Sequence, residues 1–195
     1  MKNTTGEDYT QRLIHKSGQK WKKILDVQSP YRWNLHRLKL GYTLDVGCGI
    51  GRNLKNLNGH GVGVDHNHAS VEVAKSMGFQ AFTSDDFRKL YDGKSPFDSI
   101  LISHVVEHMT LNQAKDMIAS YKPYLKSNGK IVLITPQMAG YMSDPTHVEF
   151  FDSNALAELL TASGFKISRS MSFPFPKFIG SLFKYNEFVV IATRT

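Results

Sequence analysis

Residues 42–53 read YTLDVGCGIGRN: an acid, Asp45, lies near the end of a β-like run, and glycines follow at alternate positions, Gly47, Gly49 and Gly51. Glycine weakens strands and helices alike, so its repeated use at a strand-to-helix turn marks close approach of backbone to a ligand. The spacing is G-x-G-x-G, with Arg52 where a dinucleotide fingerprint needs its last glycine, and no Gly-Lys-Ser/Thr follows as a phosphate loop requires. Phosphate-led nucleotide binding is thereby disfavoured. Asp65 comes 18 residues after Gly47, at the end of a second β-like run. A carboxylate there can accept hydrogen bonds from both hydroxyls of a ribose. The stretch Ser84-Asp85-Asp86-Phe87 can read an adenine edge, with Phe87 beside the ring. The set suggests an adenosine held without a phosphate fingerprint.

Histidines supply the remaining chemistry. His104-Val105-Val106-Glu107-His108 matches H-x-x-E-H, a zinc-peptidase pattern with two histidine ligands and a glutamate base. That pattern needs one continuous helix. His104 directly follows a β-like run, so the helix phase is broken and no metal is expected. His108 reads as a general base, a substrate contact or a packed structural histidine, and Glu107 as a backbone organiser. The connection PQMAGYMSDPTHVEFFD, residues 136–152, is long for a strand-to-helix loop and suits a lid or substrate wall. Tyr141, Asp144, His147 and Glu149 are its candidates to face substrate, and His147 is a second candidate base.

These groups need elements to hold them. Strands are predicted over 42–46, 61–65, 78–83, 97–103 and 130–135, as short apolar runs suited to parallel strands buried on both faces. Helices are predicted over 69–77, ended by Gly78, and from a capping box at Thr110–Gln113 to about residue 125, stopped by Asn128-Gly129. Asp152 or Ser153 caps a third over 155–163. Residues 165–173 and 187–193 read as strands without a helical crossover, hence an antiparallel pair. Phe173, Phe175 and Phe178 are expected in the core. The alternation predicts an α/β fold with helices on both faces of a mostly parallel sheet.

The 195 residues suit a single domain, 1–195, with a basic helical leader over 1–40 and a catalytic core over 41–195. The net charge is +7, and the leader carries nine Lys/Arg against three Asp/Glu, so the core is almost neutral. Within the leader, Tyr31 and Arg32 could close over a ligand, or Arg32 and Arg37 could attract an anionic substrate; alternatively Trp33 and Leu38 pack on the core. Cys48 is the single cysteine, and neither an apolar signal core nor a membrane-length apolar run is present. A cytoplasmic protein is expected.

LDVGCGIGRN, GVGVDHN, SDDF, FDSILISHVVEHM and GKIVLITP, in this order, resemble the class I S-adenosylmethionine-dependent methyltransferases over roughly residues 41–165. The resemblance implies a Rossmann-like seven-stranded sheet in the order 3-2-1-4-5-7-6, with strand seven antiparallel. It implies that Asp45, Gly47, Cys48 and Gly49 line the methionine end of the cofactor. It places the ribose at Asp65 with His66 alongside, adenine at Asp85, Asp86 and Phe87, and the sulfonium over Ser103 and His104. The expected reaction is transfer of the methyl group of S-adenosyl-L-methionine to an oxygen or nitrogen of a small-molecule acceptor, leaving S-adenosyl-L-homocysteine. His108, His147 and His104 are the candidate catalytic residues. The alternatives are a nucleic-acid methyltransferase and a non-catalytic cofactor-binding module. ISHVVEHM stands where a base-directed enzyme carries Asn/Asp-Pro-Pro-aromatic, which argues against nucleic acid.

Overall fold

The computed structural model describes residues 29–194. Residues 1–28 of the basic leader lie outside the described residues. The described chain forms two compact units, 29–92 and 93–194.

In the first unit, α1 (Ser29–Arg37) buries Asn34 and Leu35, and Leu38 and Leu40 continue that apolar side. Trp33, expected on the core, is instead 56% exposed, with the Arg37 guanidinium 4.6 Å over its ring. Two residues along a helix point to opposite sides, so Leu35 inward turns Trp33 outward. Strands β1 (Thr43–Val46) and β2 (Gly61–Asp65) are parallel and buried along almost their whole length. Gly63 pairs with Asp45, and a Cβ there would lie 2.6 Å from Cys48 Sγ and 2.9 Å from Leu54 Cδ1. The short α2 (Arg52–Asn56) follows the glycine turn. Asn67 caps α3 (His68–Ser76) by accepting from Ser70 N, and Val71 and Ala74 are its inward face. Strand β3 (Ala81–Thr83) leads straight into α4 (Ser84–Tyr91), capped by Thr83.

In the second unit, β4 (Phe97–Ser103) leads through a 3₁₀ turn (Val106–His108) to α5 (Leu111–Tyr121). The expected capping box is present, formed reciprocally by Thr110 and Gln113. The helix ends earlier than expected. Pro123 in the next 3₁₀ turn, Lys122–Tyr124, lacks a donor for a further helical bond. The chain then extends as β5 (Leu125–Pro136), and Asn128-Gly129 lies within that strand rather than stopping a helix. A one-turn helix, α6 (Met138–Tyr141), opens the long connection, and Asp152 caps α7 (Ser153–Ala162) through Asn154 N and Ala155 N. Strands β6 (Phe165–Phe173) and β7 (Glu187–Arg194) are antiparallel, as expected, and β7 is antiparallel to β5. Of the three phenylalanines expected in the core, only Phe173 is buried. Phe175 and Phe178, on a loop that turns through a 3₁₀ segment, are 44% and 78% exposed.

The seven strands run in the order β3-β2-β1-β4-β5-β7-β6, the order implied by the resemblance. Among the described residues no helix is long and apolar enough to cross a membrane.

Candidate active site

The glycine turn is built on left-handed backbone: Gly47, Gly49 and Gly51 have φ of 75°, 53° and 82°. Side chains disfavour that region, so glycine is what lets the turn close. Gly47 N and Cys48 N both donate to Val64 O, at 2.7 and 3.1 Å, which folds the turn onto the end of β2. There Asp65 takes two further amides. Gly49 N donates to Oδ2 at 2.7 Å and Asn67 N to Oδ1 at 2.8 Å. Asp65 therefore ties the turns after β1 and β2 together, and each carboxylate oxygen keeps acceptor capacity for one more donor. His66 Nδ1 lies 3.5 Å from Asp65 Oδ1.

Asp45 is fully buried. Its Oδ1 accepts from Asn53 Nδ2 at 3.2 Å, and its Oδ2 has no hydrogen bond among the described residues. Burial, only partly offset by the Asn53 bond and reinforced by the charge of Asp65, pushes its carboxyl up to about 7. Burial and the same two acids push the Cys48 thiol well up, so it stays protonated beside the turn. Asn53 escaped the sequence reading; its place six residues after Gly47, on the first turn after the glycines, was the available signal.

The acidic stretch after β3 has local partners. Asp85 pairs with Arg88 at 2.6 Å, and Asp86 Oδ2 accepts from Thr83 Oγ1 at 2.7 Å at the start of α4. Phe87 is fully enclosed and stacked on Tyr91, with ring centroids 4.8 Å apart. It offers no open face to an adenine, because the helix begins at Ser84 and turns position 87 inward.

In the second unit, half-buried Ser103 ends β4 and His104 follows with φ of 58°. His104 Nδ1 is 3.2 Å from Glu107 Oε1 and its Nε2 is 2.7 Å from Glu187 Oε1. Partial desolvation opposes the charge on this ring, whose side chain is still 43% exposed, but the hydrogen bonds and charges of Glu107 and Glu187 outweigh it and raise the histidine to about 10. As an imidazolium it has no lone pair with which to take a proton, so a catalytic part for His104, one of the three candidates, would not be that of a base. Glu187 escaped the sequence reading because β7 brings it in from 83 residues away.

The H-x-x-E-H reading also fails structurally, since no helix carries both histidines and the 3₁₀ turn begins after His104. His108 meets His147 instead, with ring centroids 4.8 Å apart. Its Nδ1 lies 3.3 Å from Thr146 O, and His147 Nδ1 lies 2.6 Å from Tyr141 O, with the His147 ring stacked on Tyr141. Burial lowers the pKa of His108 against the pull of Glu107, favouring the neutral ring. Two other candidates of the long connection have local partners: Thr146 donates to Asp144, and Leu111 N donates to Glu149 Oε2 at 2.7 Å, placing an anion at the start of α5.

The sequence matches the methyltransferase domain family over residues 13–169. No curated protein matches it. Among solved structures it is similar to a SAM-dependent methyltransferase from Archaeoglobus fulgidus, at 19% identity and TM-score 0.65, covering 89% of this chain and 97% of that one. It is similar to magnesium protoporphyrin IX methyltransferase from Synechocystis PCC 6803 with bound SAH, at 16% identity and TM-score 0.66, covering 98% and 96%. A third, an S-adenosylmethionine-dependent methyltransferase from Mesorhizobium loti, matches at 17% identity and TM-score 0.62, covering 84% and 97%. With the family match spanning most of the chain and the strand order agreeing, this chain belongs to the methyltransferase domain family and is a class I S-adenosylmethionine-dependent methyltransferase.

Proposed function

We propose that this enzyme moves the methyl group of S-adenosylmethionine to an oxygen or nitrogen of a small-molecule acceptor. The observation that carries the cofactor assignment is the Asp65 carboxylate, enclosed, tied to Gly49 N and Asn67 N, and with acceptor capacity left on both oxygens for ribose hydroxyls. The backbone of Gly47, Cys48 and Gly49 takes the methionine end. The unbonded oxygen of Asp45 favours the cofactor's ammonium electrostatically. His66 stands beside the ribose, and Asp85 and Asp86 serve the adenine side.

Methyl transfer is displacement at a carbon that the sulfonium already activates. The protein aligns the nucleophile, excludes water and, for a hydroxyl or amine, removes a proton. His108 and His147 suit the last task, because each ring has its Nδ1 at a backbone carbonyl and its Nε2 lone pair unused by it. The near-neutral 41–195 core supports a small molecule over a nucleic acid, and the basic leader suits an anionic one. The single cysteine, buried and free, fits a reducing cytoplasm.

The test is calorimetric titration of wild type and Asp65→Ala with S-adenosylhomocysteine and its 2′-deoxyribose analogue. Wild type should lose more than about tenfold, roughly 1.4 kcal/mol, on the deoxy analogue, and the variant should bind both compounds equally weakly. A variant that still discriminates between them refutes the ribose assignment.

A further inference from the structure

Three side chains of ligand type converge in the second unit. Glu107, His108 and His147 each present one ligand atom, all within 4.8 Å of one another. We propose that these three residues hold one divalent transition-metal ion.

The hydrogen bonds around the two rings decide which nitrogen is bare. Thr146 Oγ1 donates its proton to Asp144 Oδ1 at 2.7 Å, so toward His108 Nδ1, 3.2 Å away, it can only accept. The carbonyl Thr146 O, 3.3 Å from the same nitrogen, is also an acceptor. His108 Nδ1 therefore carries the hydrogen. His147 Nδ1 faces the carbonyl Tyr141 O at 2.6 Å and must donate as well. Both rings are left with a lone pair on Nε2. An N–H on a backbone carbonyl and the other nitrogen on the ion is how metal-bound histidines are commonly held.

Glu107 is the independent observation. It is 1% exposed; its Oε2 makes no hydrogen bond among the described residues, and its Oε1 has His104 Nδ1 at 3.2 Å. That histidine is shared, its Nε2 lying 2.7 Å from Glu187 Oε1. A carboxylate enclosed to this degree with an oxygen left unbonded is costly unless a further partner meets it.

Two imidazoles and one carboxylate select a zinc-, cobalt- or iron(II)-like ion over magnesium or calcium, which prefer all-oxygen shells. Bonds of ~2.0–2.2 Å set tetrahedral ligand atoms roughly 3.4 Å apart. Side-chain rotation must therefore draw the three, now within 4.8 Å of one another, together by up to about 1.4 Å. Three protein ligands leave a coordination position open. An acceptor hydroxyl bound there would release its proton to solvent and, on the methyl-transfer reading, keep the lone pair that makes it a nucleophile. The site then replaces a histidine base and favours an oxygen acceptor.

The test is titration of tag-free, chelator-stripped protein with Co²⁺ alone. One equivalent should bind, with the visible d–d bands of a low-coordinate nitrogen–oxygen site that Zn²⁺ abolishes. His147→Ala and the near-isosteric Glu107→Gln should each weaken Co²⁺ binding by at least ~10–100-fold, the loss typical of even outer-shell changes. Retained far-ultraviolet dichroism and S-adenosylhomocysteine binding serve as the fold control. Absence of stoichiometric Co²⁺ binding in wild type, or unchanged binding in both variants, overturns the site. S-adenosylhomocysteine binding without Co²⁺ binding overturns the metal proposal alone, whereas Co²⁺ binding without it supports the metal site and refutes the cofactor assignment.

Discussion

Asp45→Asn should change how stability depends on pH, because the wild-type acid is buried with one oxygen unbonded. Its carboxyl is raised from 3.8 to about 7, first by burial, with Asn53 opposing and Asp65 adding. An acid raised in the folded state holds its proton more tightly there than in the unfolded chain. Its contribution to stability is thus full below the unfolded value and is lost as pH rises through the folded one. The shift from 3.8 to about 7 corresponds to about 4 kcal/mol at 1.36 kcal/mol per pKa unit. Asparagine keeps the shape and cannot ionise. Urea unfolding of both proteins from pH 4 to 8.5 should give a stability difference, variant minus wild type, that grows with pH. Its slope should approach ~1.4 kcal/mol per pH unit and flatten above the folded pKa. Wild type should also bind S-adenosylhomocysteine more tightly above pH 7 than below it, because ionised Asp45 favours the ammonium. Parallel stability curves for the two proteins would refute the reasoning, for then Asp45 does not titrate as its burial requires.

Gly63→Ala should destabilise by about 1–3 kcal/mol, since its Cβ would fall 2.6 Å from Cys48 Sγ and 2.9 Å from Leu54 Cδ1. An unchanged melting temperature would mean that Cys48 and Leu54 move aside freely. Thr110→Ala removes one half of the capping box on α5 and should cost about 1 kcal/mol in urea unfolding. No loss would show that Glu149, bonded to Leu111 N, caps the helix sufficiently without it.

Much of the fold was legible because each signal is local. The runs 61–65 and 97–103 coincide with β2 and β4, and the Thr110 and Asp152 caps stand where their side chains predict. Misreadings came where one local signal competed with another. Asn128-Gly129 is a helix stop in isolation, but Pro123 had already ended the helix and the following residues pair in β5. Trp33 is an apolar side chain of the kind that seeks a core, yet the helix phase set by Leu35 sends it to solvent. Phe87 was placed beside a ligand by its sequence neighbours, and the register of α4 encloses it.

By itself, the sequence determined the series of strands and turns and the acids that end β1 and β2, because glycine spacing, apolar runs and caps act within a few residues. The tertiary structure alone decided the chemistry of the histidines. Pairing of β7 with β5 brings Glu187 to His104 and makes that ring a cation. The fold of the 136–152 connection sets His147 against His108 and Glu107. A histidine's protonation and its free nitrogen depend on what stands within a few ångströms of the ring, and here Glu187 reaches His104 from 83 positions away and Thr146 reaches His108 from 38.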